Sequence, residues 1–379
     1  MGKLTPFFDT VEALLDNNPP ACFDETGSGD YAKAKAFLLC YQNNLTTFNA
    51  YRREIERLLQ WCQHKAKKNL AQLRRNDIDA YMKFCQNPPK SWIGMNKVTR
   101  FINKNGLRVP NPKWRPFVIT IPKAQKSQGM APDIDNYILS EKSLREIFTI
   151  VSSFYNFMIQ ENYLEINPIQ QVRQKSRYFT KQQTTKIVRK LSELQWGYVI
   201  ETAYLMAGKN KKYERTLFIM NALYGMYLRI SELVASERWT PKMGDFQRDA
   251  DGLWWFTTVG KGNKQRQIAV SSAMLNALKR WRKSLGLTSL PSPGETNFLI
   301  PKQIGTGPVT STRPIRMLVQ DCFDQAVERL KDDGFKEDAL QLMSATVHWL
   351  RHTGISDDVK IRPREHVRDD AGHSSGATT

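Results

Sequence analysis

The chain contains 379 residues, of which 41% are hydrophobic and 25% are charged. This length and composition exclude a single small module and a disordered chain, and they favour about two globular domains. Lys and Arg number 56 against 37 Asp and Glu, which gives a formal net charge of +19. Such an excess favours a polyanionic partner, with nucleic acid ahead of an anionic membrane surface.

No stretch of the sequence predicts a membrane-spanning helix, since the strongest candidate, residues 217–228, is well short of the ~20 apolar residues required. The amino terminus lacks the apolar region of a secretory signal peptide. The five cysteines are too sparse and too widely spaced for a disulfide scaffold or a CxxC metal site. We therefore predict a cytoplasmic protein without a membrane partner.

Turn residues, including Pro19-Pro20, predict a loosely held leader over residues 1–30. Apolar residues then recur at helical spacing in three stripes, which predict a helical bundle over residues 31–172. The first stripe is Phe48, Tyr51, Ile55, Leu58, Leu59 and Cys62, the second is Ile78, Tyr81, Met82 and Cys85, and the third is Leu144, Ile147, Phe148, Val151, Phe154, Tyr155, Met158 and Ile159.

A basic insertion is predicted within this bundle over residues 88–137, since residues 88–132 contain nine Lys or Arg and no Asp or Glu. Four aromatic residues, Trp92, Phe101, Trp114 and Phe117, are interleaved with these charges. A purely solvated charged loop has little reason to expose aromatic rings, so the pattern favours nucleic-acid contact over a solvated insertion. The candidate DNA contacts are Lys97, Arg100, Lys104, Lys113 and Arg115.

Residues 171–190 contain seven Lys or Arg and no acidic residue in an otherwise polar sequence. This pattern predicts a basic interdomain linker over residues 173–189 that lies along DNA phosphates. Its candidate contacts are Arg173, Lys175, Arg177 and Lys181.

The pattern after residue 190 is mixed. An apolar helical stripe, Leu217 to Tyr227, leads to Arg229. Residues 253–259 are rich in Trp, Phe, Thr and Val and predict a strand, and residues 267–270 predict a return strand. The intervening Gly-Lys-Gly-Asn-Lys supplies turn residues, so we predict a β-hairpin with lysines at its tip. Further helices are predicted around residues 275–285 and 315–330.

Three separated segments carry candidate chemistry. They are YLRISEL at 227–233, GKGNK at 260–264, and HWLRHT at 348–353 followed by AGHSS at 371–375. Each alone is typical of a surface charge, a solvated turn or a helix cap. Together and in this order they resemble the tyrosine recombinase (phage integrase) family, whose members carry an LR-x-S-E-L arginine, a GKGNK-type hairpin lysine, an H-x-x-R pair before His-Thr, and a GHSS-type histidine.

The resemblance implies a multidomain, mainly α fold. Its first part is an N-terminal helical core-binding (SAM-like) bundle. Its second is a mixed α/β catalytic domain with a small antiparallel sheet, over residues 190–379. The implied activity is site-specific cutting and rejoining of double-stranded DNA through a 3′-phosphotyrosyl intermediate, for integration or excision of a mobile genetic element. The implied assembly is a homo-oligomer, dimer to tetramer, on DNA in the nucleoid of a bacterial cell.

Transesterification at a phosphodiester places extra negative charge on the non-bridging oxygens. Guanidinium groups clamp such oxygens bidentately and stay charged, which makes Arg229 and Arg351 the candidate phosphate ligands. The resemblance implies that Lys261 protonates the leaving 5′ oxygen, that His348 assists proton transfer at the nucleophile, and that His373 hydrogen-bonds the scissile phosphate.

Glu232 lies one helical turn beyond Arg229, where it either orients the catalytic cluster or is a simple surface acid.

No metal or other cofactor is predicted. His348 and His352 have the i, i+4 spacing of a zinc pair, but Arg351 is not the glutamate that a metalloprotease motif requires between its histidines. A phosphate-binding P-loop is also excluded, because no Ser or Thr follows Lys261 and the second upstream glycine is missing.

Two departures from the family pattern affect the prediction. The family's nucleophilic tyrosine follows the GHSS-type histidine by nine residues, a position three residues beyond Thr379. We therefore expect the chain as given to bind DNA without cleaving it. Residues 356–370 are dominated by charged residues, where the family has an apolar helix. The alternatives are a DNA-binding regulator or inactive recombinase remnant without strand transfer, and a type IB topoisomerase.

Overall fold

The computed structural model describes residues 4–16, 25–173, 189–260 and 263–372. The chain forms two compact units. The amino-terminal unit contains described residues up to 121 and from 129 to 173, and the carboxy-terminal unit contains residues 122–128 and the described residues from 189 onward.

Helices form most of the amino-terminal unit. They are α1 (Val11–Asp16), α2 (Glu25–Leu39), α3 (Leu45–Trp61), α4 (Arg75–Gln86), α6 (Glu141–Gln160) and α7 (Pro168–Arg173), while the intervening short helix α5 (Lys123–Ser127) belongs to the carboxy-terminal unit.

The three predicted stripes lie on α3 with the residue that follows it, on α4 and on α6, and they supply about half of the buried core of this unit. The two longest of these helices have local start signals: Asn44 caps α3 by accepting the backbone N–H of Thr47, and Ser140 caps α6 by accepting that of Ser143. The predicted helical bundle is therefore confirmed.

Residues 4–16 differ from the loosely held leader that the turn-rich sequence predicts. Phe7 and Phe8 are buried, and Phe8 stacks on Tyr31 with ring centroids 5.1 Å apart. Their backbone N–H groups donate to the buried carboxylate of Glu56 at 2.5 and 3.1 Å. A buried carboxylate needs such donors, so this segment is an integral part of the core.

The basic insertion forms four short strands: β1 (Ile93–Gly94), β2 (Phe101–Lys104), β3 (Leu107–Pro110) and β4 (Phe117–Val118). β1 pairs in parallel with β4, and β2 and β3 form an antiparallel hairpin. Asn105 and Gly106 turn this hairpin with φ angles of 52° and 77°.

The aromatic residues of the insertion correct the argument that they are exposed for nucleic acid. Trp92, Trp114 and Phe117 are buried, and Phe101 is half-buried. Trp92 packs edge-on against Phe84 with ring centroids 4.9 Å apart. These rings attach the insertion to the helical core, a role that composition alone does not distinguish from base stacking.

The carboxy-terminal unit combines helices with one small sheet. Its further helices are α8 (Glu193–Lys209), α9 (Glu214–Gly225), α10 (Ser272–Ser284), α11 (Thr312–Asp332), α12 (Lys336–Met343), α13 (Val347–Asp358) and α14 (Arg364–Ala371). Its strands are β5 (Phe246–Arg248), β6 (Trp254–Val259) and β7 (Gln265–Ala269), in antiparallel order β5-β6-β7.

The predicted hairpin is β6-β7, with Val259 opposite Gln265, while the three-residue β5 is an addition to the prediction. α9 lies at the centre of the unit and contacts α8, α10, α11 and α13. Because it is covered on several sides, it is buried almost all round rather than along one stripe. Lys123 on α5 attaches to this unit by donating to the carbonyl oxygen of Ala345 at 2.5 Å.

None of the helices in the four described ranges is both long enough and apolar enough to cross a membrane.

Candidate active site

The segment that carries Arg229 is a sharp bend after α9. The helix ends at Gly225, and Tyr227 has a left-handed conformation with φ of 49°. A short 3₁₀ segment follows at Ile230–Leu233. Glu232 closes the bend, because its Oε2 accepts the backbone N–H of Arg229 at 2.8 Å and its Oε1 accepts Arg229 Nη1 at 3.0 Å. The bend therefore holds Arg229 against the Glu232 carboxylate.

Glu232 is a buried carboxylate, with 2% of its surface exposed. Arg266 on β7 donates to both oxygens, from Nη1 to Oε1 at 2.7 Å and from Nη2 to Oε2 at 2.8 Å. Burial would raise the pKa of Glu232, but the hydrogen bond and charge of Arg266, followed by the backbone N–H and charge of Arg229, lower this pKa overall. Glu232 is therefore ionised at neutral pH, and its burial excludes the alternative of a simple surface acid.

Arg351 on α13 is buried, with 4% of its surface exposed. Its Nη2 donates to the carbonyl oxygen of Ala371 at 2.5 Å, and its Nη1 donates to the carbonyl oxygen of Tyr227. Burial and the nearby charge of Arg229 lower the pKa of Arg351 to about 10. The guanidinium is still protonated at neutral pH, so it contributes a buried positive charge.

Arg229 and Arg351 converge at the carboxyl end of α14. Arg229 Nη2 donates to the carbonyl oxygen of Gly372 at 3.4 Å, and Arg351 Nη2 donates to that of Ala371. The acceptors belong to successive residues, whose Cα atoms are ~3.8 Å apart, so both guanidiniums occupy one small region. Two guanidiniums this close form a site that can clamp the oxygens of a single phosphate.

His348 lies one turn before Arg351 on α13 and has an exposed ring. Partial desolvation, followed by the charges of Arg351, Arg316 and Arg229, lowers the pKa of His348 below its ordinary value. The ring is therefore neutral at neutral pH and can accept a proton beside the two guanidiniums.

His348 and His352 have ring centroids 6.3 Å apart. Within the part of the chain that the structure describes, no group of three His, Cys, Asp or Glu residues is arranged to hold a metal ion.

No protein-family model matches the chain. A curated relative, Tyrosine recombinase XerC of Pediococcus pentosaceus, is 25% identical over 246 residues, which cover 64% of this chain and 70% of the relative. This similarity supports the resemblance to the tyrosine recombinase family that the sequence motifs carry.

Solved structures of recombinases have the same fold. XerH site-specific recombinase, bound to a palindromic difH substrate, matches with a TM-score of 0.53 and 13% identity, over 97% of this chain and 88% of XerH. A lambda integrase dimer, bound to a COC′ core site, matches with a TM-score of 0.51 and 12% identity, over 92% of this chain and 76% of that chain. The fold class predicted for this chain, a multidomain and mainly helical protein with a small antiparallel sheet, is confirmed.

Two candidate catalytic residues, Lys261 and His373, lie outside the described residues. Their preceding residues are described. A Cβ atom on Gly260 would lie 2.9 Å from Arg266 Nη1 and 3.1 Å from Glu232 Oε1, so glycine is needed for this close approach. Gly372, which precedes His373, accepts a hydrogen bond from Arg229. The backbone therefore lies next to Arg266 just before Lys261 and next to Arg229 just before His373.

The candidate DNA contacts in the insertion fall into two groups. Lys97, Lys104 and Lys113 are exposed. Arg115 is half-buried, and its Nη1 donates to the carbonyl oxygens of Pro112 and Trp114 at 2.9 and 2.7 Å.

Arg100 corrects the prediction that it contacts DNA. Its side chain is 14% exposed, forms an ion pair with the buried Glu56, and lies over the Trp114 ring at 5.1 Å. The partner is distant in sequence, so a local count of basic residues does not reveal the pairing. Arg100 therefore neutralises an interior carboxylate of the amino-terminal unit.

In the predicted basic linker, Lys175, Arg177 and Lys181 lie outside the described residues, as does the side chain of Arg173, the last residue of α7.

Arg266 is the main site residue that the sequence argument misses. It lies two residues after the GKGNK motif and shares a strand face with the buried Ile268. A charged residue on the inward face of a strand is the signal that could have identified it, since such a residue needs a buried partner.

Proposed function

We propose that this tyrosine recombinase cuts and rejoins double-stranded DNA at specific sites through a 3′-phosphotyrosyl intermediate, in the integration or excision of a mobile genetic element. The observation that carries the proposal is the convergence of Arg229 and Arg351 on successive carbonyl groups beside a neutral His348. The sequence similarity to a tyrosine recombinase supports the reaction class.

In the proposed reaction, a tyrosine oxygen forms a bond to phosphorus while the bond from phosphorus to the 5′ oxygen breaks. Arg229 and Arg351 hold the non-bridging oxygens, whose charge increases in the transition state. Because Arg351 is almost fully buried, its charge is poorly screened by water and acts strongly on the phosphate. Phosphate oxygens are charged acceptors and compete well with the neutral carbonyls of Ala371 and Gly372.

Proton transfer is assigned to residues around this clamp. His348 is neutral and can accept the proton of the attacking tyrosine hydroxyl. We assign protonation of the 5′ oxygen to Lys261 and a hydrogen bond to the scissile phosphate to His373. The support is that Gly260 and Gly372, their immediate neighbours in sequence, contact the cluster. The phosphotyrosyl link conserves the energy of the phosphodiester, so rejoining needs no nucleotide cofactor.

The proposed partner is duplex DNA bound by a homo-oligomer, dimer to tetramer. The net charge of +19 and the exposed Lys97, Lys104 and Lys113 support phosphate contacts. The lambda integrase structure is a dimer on DNA, which supports assembly on the substrate. With DNA as substrate and a bacterial relative, we place the protein in the bacterial cytoplasm at the nucleoid.

Covalent attachment to DNA tests the proposed function. The chain is extended by its downstream codons to include the expected nucleophile and is incubated with plasmids that carry or lack a candidate recombination site. We expect a denaturation-resistant protein–DNA adduct only with the site. Relaxation of both plasmids would indicate a type IB topoisomerase. Binding without an adduct would indicate a DNA-binding regulator.

Charge reversal of Lys97, Lys104 and Lys113 is expected to weaken duplex binding, because their phosphate contacts release counterions. The slope of log affinity against log salt should become shallower by about 0.9 for each lost contact. Fluorescence anisotropy with a labelled duplex at several salt concentrations measures both quantities. Arg100 is left unchanged, because its removal would leave the Glu56 carboxylate buried and unpaired.

The matched control reverses Lys209, Lys211 and Lys212, which are also exposed and give the same change in net charge. An equal loss of affinity in the control would show an effect of total charge rather than of the insertion.

A further inference from the structure

Arg266 links the arginine site to two other elements of the carboxy-terminal unit. Its side chain is 10% exposed, and both Nη atoms are used by Glu232. Its Nε donates to the carbonyl oxygen of Asp370 on α14 at 2.9 Å. The Asp370 carboxylate is held in turn by Arg362 at 2.6 Å. Arg266 therefore joins β7, the bend after α9, and the end of α14.

The charges at this junction are unequal. One carboxylate, Glu232, lies between two guanidiniums, Arg229 and Arg266. Arg266 takes the bidentate contact, and Arg229 makes one side-chain contact, through Nη1. The Nη2 atom of Arg229 is directed to Gly372 O instead, at a longer 3.4 Å. Arg266 balances the negative charge of Glu232, so the positive charge of Arg229 is not cancelled by that carboxylate. The Nη2 edge of Arg229 can therefore donate to another acceptor.

We propose that Arg266 is a positioning residue: it holds and neutralises Glu232 so that Arg229 presents its Nη2 edge to a DNA phosphate. The proposal rests on the proposed function, in which Arg229 is a phosphate ligand. Without Arg266, the buried Glu232 would be left with the half-buried Arg229 as its cationic partner and would draw the second nitrogen of that guanidinium toward itself. Arg229 would then be a weaker phosphate ligand although it is still present.

The close approach of the hairpin supports this role. A Cβ atom on Gly260 would meet Arg266 Nη1 at 2.9 Å, Glu232 Oε1 at 3.1 Å and Arg229 Nη1 at 3.3 Å. The backbone of the predicted lysine hairpin thus lies against all three charged side chains. Through its hydrogen bonds to Glu232, Arg266 holds in place the charged side chains that Gly260, the first residue of the GKGNK segment, packs against.

Nuclear magnetic resonance of the arginine side chains measures phosphate binding at Arg229 directly. The 379-residue chain is labelled with ¹⁵N-arginine, and the Nε–H signals are recorded during titration with inorganic phosphate. We expect saturable shifts for Arg229 and Arg351. In Arg266→Ala, phosphate affinity at Arg229 should fall about tenfold, the loss of one charge-assisted hydrogen bond, while affinity for a random-sequence duplex changes little.

A second substitution separates positioning from a merely structural role. Glu232→Gln in the Arg266→Ala background removes the carboxylate that would capture Arg229, so phosphate affinity should recover toward that of the unmodified chain. If Arg266 only stabilised the fold, the double variant would be no better than the single one. Failure to recover would overturn the proposal, as would an undiminished phosphate affinity in Arg266→Ala.

Arg282→Ala is the matched control, since Arg282 is 1% exposed and pairs with Glu295 at 2.9 Å in the same unit. We expect it to lower thermal stability and leave phosphate affinity at Arg229 unchanged; an equal loss of affinity would overturn the proposal. An absence of any phosphate response in the unmodified chain would instead contradict the proposed function.

Discussion

Replacing Arg351 with alanine is expected to lower the rate of covalent DNA attachment by roughly 10²- to 10³-fold, the usual cost of removing one preorganised donor to a developing oxyanion. Duplex affinity should change much less, because we propose that exposed lysines supply most phosphate contacts. The measurement compares adduct formation by the extended chain with equilibrium binding of the same duplex.

Arg351→Ala is also expected to lower the free energy of unfolding. Arg351 donates to the carbonyl oxygens of Tyr227 and Ala371, and leaving buried acceptors unpaired costs about 1–3 kcal/mol each. Arg351→Lys is the control, because it keeps the charge but loses the fork geometry, and it should restore part of the rate. Normal attachment by Arg351→Ala would contradict the assigned role, as would a loss of binding equal to the loss of rate.

Gly354→Ala is expected to destabilise the carboxy-terminal unit by about 3 kcal/mol, at the upper end of the range for overpacked cores. A Cβ atom at Gly354 would overlap the carbonyl oxygen of Tyr224 and lie 2.9 Å from its carbonyl carbon and 3.2 Å from Tyr227 Cδ1. The helix α13 would have to move away from α9. Because Arg351 lies one turn before Gly354 on α13, we also expect impaired DNA attachment.

Urea unfolding followed by circular dichroism measures this change in the free energy of unfolding. Gly197→Ala is the control, since Gly197 lies in α8 and its added Cβ would meet no heavy atom within 4 Å. That substitution should be neutral or stabilise the unit by up to about 1 kcal/mol, because alanine is the better helix former. A Gly354→Ala variant as stable as the unmodified chain would show that α13 and α9 are not packed as described.

Local patterns in the sequence were sufficient to predict three helices of the amino-terminal bundle, α3, α4 and α6, and the β6-β7 hairpin. Helical stripes and turn residues report on neighbours close in sequence, and such contacts dominate these elements. The motifs also identified Arg229, Glu232, His348 and Arg351, which the structure brings into one region, while their catalytic roles remain predictions.

Interactions between distant residues could not be predicted in the same way. Arg100 pairs with Glu56 and Arg266 with Glu232, and each pair is separated by more than 30 positions. Counting the basic residues of a segment treats every arginine as a free surface charge. Some arginines are instead the cations that buried carboxylates require. The argument that the aromatic residues of the insertion are exposed was wrong for a related reason. Aromatic residues suit both a core and a base-stacking surface, and only the burial of Trp92 and Phe117 in the structure distinguishes the two.

The most direct test of the account is a structure of the protein bound to its DNA site, in which the contacts of two side chains are measured. We predict that Arg229 and Arg351 each donate to non-bridging oxygens of one and the same phosphate, at the ~2.7–2.9 Å typical of charge-assisted hydrogen bonds. Guanidiniums bound to phosphates of different nucleotides, or directed away from the DNA backbone, would contradict it.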